Sequence, residues 1–214
     1  AKLLHERSEE RGHPETSKFA RVAICSGHMI DTPDRPEPRF PPAKEEAVRE
    51  LIARQLERWK IGPGDLAISG GARGADILFA EECLRRSAKV RLLLAKDADD
   101  FIAGSVRLPK SNWVERFYAL TKECEVASQP DRLGKIPEPE NRANASQFPD
   151  VYARNNLWII NTARIEAPGS EAIYALLVWD EKPTGDGPGG TSDFARQVRG
   201  LGGQIEIINP TRIQ

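Results

Sequence analysis

The segment Ser69-Gly70-Gly71-Ala72-Arg73-Gly74-Ala75-Asp76 lies between a short apolar run, residues 65–69 (DLAIS), and a stretch of helical periodicity. Glycines there let backbone N–H groups approach an anion with no Cβ in the way, and a following helix aims its positive dipole end at the same point. Arg73 adds a charge that can bind in two-pronged fashion. These features predict a phosphate-binding loop with Gly70, Gly71, Arg73, Gly74 and Asp76 at the ligand. The spacing matches neither the dinucleotide fingerprint nor the Walker loop. A tight strand-to-helix turn that needs small residues is the other reading. A second glycine-rich loop, residues 180–190 (DEKPTGDGPGG), also follows an apolar run; Gly187, Gly189 and Gly190 lead into Thr191, which could cap the next helix. It is either a second ligand loop or a flexible connection.

Two further clusters carry polar groups. His28 follows Ser26 and Gly27 at the end of the first apolar run, with Asp31, Arg35 and Arg39 beyond it. A histidine there could read a base or move a proton near neutral pH, or could hold a loop by hydrogen bonds. The two arginines are phosphate contacts or solvated charges. Arg154, Asn155 and Asn156 open a helical pattern, where they either face a phosphate or serve as cap and surface. Trp113, Trp158 and Trp179 could stack on a base, although each sits in an apolar pattern that suits a core.

Elements that must position these groups follow from the hydrophobic period. Strands are expected at residues 20–25, 65–69, 89–94, 173–179 and 204–208, each a short apolar or β-branched run. Helical spacing occupies residues 43–59, 76–86, 113–127, 151–163 and 191–201, with a shorter piece at 99–106. Five prolines between residues 33 and 42 confine that first connection to loop, and residues 128–148 are polar enough to form a surface loop or lid. Alternation of strand and helix predicts an α/β, Rossmann-like open, mainly parallel sheet with helices on both faces. In such a sheet both glycine loops stand at the carboxyl ends of strands and could touch one ligand.

The 214 residues suit one domain, expected at 19–214, with residues 1–18 a polar, charge-alternating lead or linker from a preceding region. With 31 basic and 32 acidic side chains the formal net charge is −1, so the bulk field that attracts nucleic acid is missing. Three cysteines lack zinc-type spacing, which argues against a disulfide framework and a structural metal. No membrane segment is legible, no cofactor is implied, and a cytoplasmic location is expected.

The SGGARGAD loop with the helix after it, the Tyr152-Ala153-Arg154-Asn155-Asn156 stretch and the GPGGT turn together resemble the SLOG superfamily. That superfamily includes the Lonely Guy phosphoribohydrolases, the DprA proteins and nucleotide-sensing domains of bacterial conflict systems. SGGARGAD is similar to the SGxARGID loop of DprA, and Arg154-Asn155 stands where YspA-like domains carry an Arg-Asn pair. The resemblance runs over residues 19–210. It implies a Rossmann-like fold, often oligomeric, holding a nucleotide-derived ligand at Ser26, Gly27, His28, Gly70, Gly71, Arg73, Gly74, Asp76, Arg154, Asn155, Gly187, Gly189, Gly190 and Thr191. The chain departs from the Lonely Guy PGGxGTxxE pattern, since the Glu position is Phe194 and Asp193 lies one residue early, about 100° away around a helix.

Three functions follow as expectations. The first is a sensor module of a larger protein that binds a nucleotide-derived ligand without turnover and changes the state of an attached effector. The second is an enzyme cleaving an N-glycosidic bond, with Asp31, Asp180, Asp186 or Asp193 stabilising or capturing the ribosyl cation. DNA binding ranks last, for want of a basic and aromatic stripe.

Overall fold

The computed structural model describes residues 17–135, 150–182 and 189–213. Asp186 and Gly187 lie outside the described residues. The strands are β1 (Val22–Gly27), β2 (Leu66–Ser69), β3 (Lys89–Leu94), β4 (Glu125–Ser128), β5 (Ile173–Val178) and β6 (Gln204–Ile208). Among the described residues the helices are α1 (Glu45–Arg58), α2 (Ala75–Arg85), α3 (Ala98–Phe101), α4 (Trp113–Glu123), α5 (Gln129–Leu133), α6 (Val151–Glu166) and α7 (Thr191–Arg199).

All six strands pair in parallel, in the order β4-β3-β2-β1-β5-β6. From β1 the chain steps outward through β2 and β3 to β4. Helix α6 then carries it back over the sheet, and β5 pairs with the other side of β1. The direction of winding therefore reverses between β1 and β5, where loops leave toward opposite faces and open a crevice.

Apolar residues on both sides of the inner strands need cover on both faces, as a parallel sheet demands. Val48, Ile52 and Leu56 of α1, Phe79 and Cys83 of α2 and Phe117 of α4 cover Ala23, Cys25, Ala67 and Leu92. On the opposite face, Ile159, Ile160 and Ala163 of α6 and Phe194 and Val198 of α7 cover Val22, Ile24, Ile68 and Leu177. Phe194 is fully buried, so the position compared above with a catalytic Glu belongs to the core. Trp113 and Trp179 are buried and Trp158 packs against the second core, leaving their rings in the packing. Burial raises the thiol pKa of Cys25 and Cys83 well above the ordinary range, which keeps both protonated.

Two departures from the sequence pattern have local causes. The helical spacing through residue 127 ends earlier: α4 stops at Glu123, and residues 125–128 pair with β3 as an edge strand. Downstream, Ser128 accepts a hydrogen bond from the Asp131 amide and so starts α5 inside the expected loop. Helix α3 runs directly into a wide turn over Ile102–Val106, closed by Arg107 N–H donating to the Ile102 carbonyl at 2.8 Å. Among the described residues no helix is long and apolar enough to cross a membrane. Nor do those residues contain a group of three or more His, Cys, Asp or Glu side chains placed to hold a metal ion.

Candidate functional site

A cavity of about 450 Å³ opens at the carboxyl edge of the sheet, at the reversal between β1 and β5. Its floor comes from Cys25, Ser26 and Gly27 at the end of β1. One wall holds Gly70, Ala72 and Asp76 of the first glycine loop; another holds Gly189, Gly190 and Thr191. His28, Met29 and Arg39 border it from the long loop after β1, and Asp150, Tyr152, Asn155, Asn156 and Ile159 from the start of α6. Ala95 after β3, Phe101 at the end of α3, and Gly104 and Ser105 of the wide turn also line it.

The glycines are required by close packing. A Cβ on Gly27 would lie 2.4 Å from the Ala75 Cβ and 2.8 Å from the Val178 Cβ, so only glycine lets α2 and β5 meet the end of β1. Gly74 has φ +92°, and its Cβ would lie 2.6 Å from the Ile30 nitrogen. Gly189, with φ +76°, sits against the first turn of α6, 2.1 Å from the Ala153 nitrogen by the same measure. Gly71 turns toward Leu94 and Phe117, away from the cavity and into the core.

Inside the first loop the amides already have an anion-like partner. The Ala72 N–H donates to Asp76 Oδ2 at 3.2 Å, and the backbone N–H groups of Gly70 and Gly71 add to the field that favours the ionised carboxyl. A Cβ on Gly70 would stand 2.9 Å from the same oxygen, which explains the glycine. Asp76 Oδ1 is buried and has no hydrogen-bond partner among the described residues. Burial raises the Asp76 pKa to about 7, against the pull of the three loop amides. The carboxyl is therefore divided between its two protonation states near neutral pH.

The arginines read as phosphate contacts have other partners. Arg73 is buried, and its guanidinium donates to the Ile30 carbonyl at 3.3 Å and to the Arg107 carbonyl at 3.3 Å. It is not part of the cavity wall. Arg154 likewise stands outside the wall and donates to the carbonyls of Leu133 and Gly134, fastening the end of α5. Arg39 does reach the cavity, with Nε 3.4 Å from Asp180 Oδ2.

His28 and Asp180 form a buried pair beside the cavity. His28 Nε2 lies 2.9 Å from Asp180 Oδ1 and 3.1 Å from the Asp180 amide nitrogen, so the tautomer decides which contact carries the hydrogen. Burial lowers the His28 pKa and outweighs the carboxylate beside it. For Asp180, burial opposes ionisation, but the hydrogen bond and charge of His28, the Lys182 amide and Arg39 together bring its pKa below the usual value. The pair is thus a neutral imidazole against a carboxylate.

None of the described carboxylates considered for catalysis, Asp31, Asp180 and Asp193, lines the wall itself. Asp31 Oδ2 accepts from the Arg39 and Phe40 amides, both at 2.8 Å, and Oδ1 faces Arg35 at 3.4 Å, which closes the base of the proline-rich loop. Asp193 accepts from Asn156, Gln197 and Arg196. Asn155 does line the cavity, although its amide donates to the Leu93 carbonyl and its oxygen accepts from Gln129. Asn156 reaches the Gly189 carbonyl at 2.8 Å and so ties α6 to the second glycine loop.

Sequence reasoning missed Asp150, Tyr152, Phe101, Gly104 and Ser105. Asp150 had a readable signal: an Asp just before a helical pattern is a cap, and its Oδ1 accepts from the Tyr152 and Ala153 amides. The others reach the cavity through the wide turn or through tertiary packing, which leaves no local pattern.

No family model matches the chain, and no curated protein does. Among solved structures the chain is similar to DNA processing protein A (DprA) from Streptococcus pneumoniae. Identity is 14% and the TM-score 0.46, over 89% of this chain and 50% of the other; this chain spans about half the length of that one.

Proposed function

We propose that the chain binds a nucleotide-derived small molecule in the cavity between β1 and β5 and acts as a sensor whose occupancy an attached effector reads. The observation that carries this reading is the convergence of both glycine loops with the β1 end on one 450 Å³ space at the winding reversal. That volume falls in the range of small-molecule sites, roughly 300–1,000 Å³. The resemblance to the SLOG superfamily supports the same ligand class. Binding is favoured over cleavage because Asp31 and Asp193 have structural partners and Phe194 is in the core.

One observation supports a second reading, the N-glycosidase. A neutral His28 backed by the carboxylate of Asp180 borders the cavity and could take a proton from a water. A single experiment separates the two. The purified chain is screened by thermal shift against linear and cyclic nucleotides, and any stabilising compound is recovered after incubation and examined by mass spectrometry. Ligand at about 100 times its Kd adds roughly 2.7 kcal/mol of stability, which is readily seen as a higher Tm. The sensor reading expects stabilisation and intact recovery; steady release of free base moves the assignment to the enzyme, and a panel with no shift removes both.

A further inference from the structure

Resting on the nucleotide-binding reading above, we infer that Asp76 is the residue that selects the ligand's neutral end: its Oδ1 hydrogen-bonds an N–H or O–H group of the sugar or base, and the first glycine loop does not hold the phosphate.

A phosphate on Gly70-Gly71-Ala72 needs their N–H groups, but the Ala72 amide already donates to Asp76 Oδ2 at 3.2 Å and the Gly70 and Gly71 amides act on the same carboxyl, favouring its ionised form. Phosphate would have to displace a carboxyl whose own backbone begins the same helix, and would meet its like charge whenever Asp76 is ionised. The nearest arginine in sequence cannot offset that charge from its present position, because Arg73 is directed to the carbonyls of Ile30 and Arg107.

Asp76 is 8% exposed and contributes to the cavity wall, yet Oδ1 is buried without a hydrogen-bond partner among the described residues. A buried polar atom left without a partner is destabilising. A ligand that supplies the missing donor recovers that cost, whereas one lacking the donor leaves it in place, and this difference is what makes a buried polar group selective. Neighbouring Asn155 does not compete for the role, since both ends of its amide are engaged by Leu93 and Gln129. With a pKa near 7, the ionised form that accepts such a hydrogen bond is available at neutral pH, and a bound donor would favour it further.

The test uses isothermal titration calorimetry on the intact chain with adenosine, inosine, 2′,3′-dideoxyadenosine, AMP and inorganic phosphate as probes. Adenosine and AMP should both bind, and phosphate alone should leave the amide NMR signals of Gly70, Gly71 and Ala72 unmoved. Loss of tenfold or more with dideoxyadenosine places a sugar hydroxyl on Asp76; the same loss with inosine places the base amino group there. Asp76→Asn keeps an oxygen for the loop amides but turns an N–H group toward the ligand, and should weaken adenosine at least tenfold. Its thermal unfolding, measured in parallel, shows that the variant is folded. Equal affinity for all three nucleosides, unchanged binding by Asp76→Asn, or phosphate shifts confined to the loop amides would each overturn the inference while leaving nucleotide binding intact. Failure of every nucleoside and nucleotide to bind would overturn both.

Discussion

His28 Nε2 lies 2.9 Å from Asp180 Oδ1, joining the ends of β1 and β5 across the point where the sheet reverses its winding. The His28 amide also donates to the Val178 carbonyl at 2.8 Å, so main chain and side chain close the same seam. With Arg39 near the second Asp180 oxygen, the proline-rich loop is drawn onto that seam as well.

Burial keeps His28 neutral, so its pKa in the folded chain lies below the ordinary 6.5. Its contribution to stability is full above 6.5 and is lost as pH falls through the lower folded value, because the unfolded chain then binds the proton more readily. An NMR titration of the imidazole Cε1–H should give a midpoint under 6.5. A midpoint at or above that value would contradict the assigned neutral pair.

Asp76 has the opposite sign. Its pKa rises from 3.8 to about 7 on folding, so the folded chain holds a proton that the unfolded chain releases between those values. Stability from this group is full below about 3.8 and declines as pH rises through 7. At roughly 1.4 kcal/mol per tenfold change in proton affinity, the whole effect is about 4 kcal/mol. Urea unfolding of Asp76→Asn against the parent chain at pH 5 and pH 8 should show the variant gaining relative stability at the higher pH. A constant difference would exclude the raised pKa.

Gly74 and Gly104 both belong to loops near the cavity, yet substitution should separate them sharply. Gly74→Ala forces a Cβ to 2.6 Å from the Ile30 nitrogen at φ +92° and should cost more than about 3 kcal/mol. A Cβ at Gly104 meets nothing within 4 Å, so Gly104→Ala should stay within about 0.5 kcal/mol of the parent. Denaturant midpoints for the two variants decide the matter.

Arg73→Ala should act on stability. Removing a guanidinium that donates to two carbonyls is expected to cost about 1.5–3 kcal/mol for each well-formed bond. Calorimetry on the folded variant should find nucleoside affinity within about threefold of the parent. A tenfold loss in affinity with an unchanged Tm would return Arg73 to the ligand.

Five strands were legible because each is an apolar run bounded by turn residues, and their alternation with helices gave the parallel sheet. The sixth, β4, was not: Glu125 and Val126 are exposed at the edge, and with only β3 to pair they carry no apolar run. The positions of both glycine loops followed from strand and helix order alone. The partners of Arg73 and Arg154 did not, since a guanidinium at the right loop reads the same whether it faces a ligand or carbonyls 43, 34, 21 or 20 residues away. Asp76 was legible as a residue of the first glycine loop, and it lines the cavity, but its bond to its own loop depends on the turn's backbone geometry.

The return of the chain through α6 to set β5 beside β1 has a consequence for the order in which the protein matures on the ribosome. The β1 to β4 segment can pair its strands before residue 130 has been followed by the rest, but the cavity still lacks α6 and Gly189 to Thr191. A ligand therefore has no complete pocket until Thr191 has emerged and β5 has closed against β1. Small-molecule rescue of a weakened variant would act only once β5 and Thr191 are in place, and not on earlier folding intermediates.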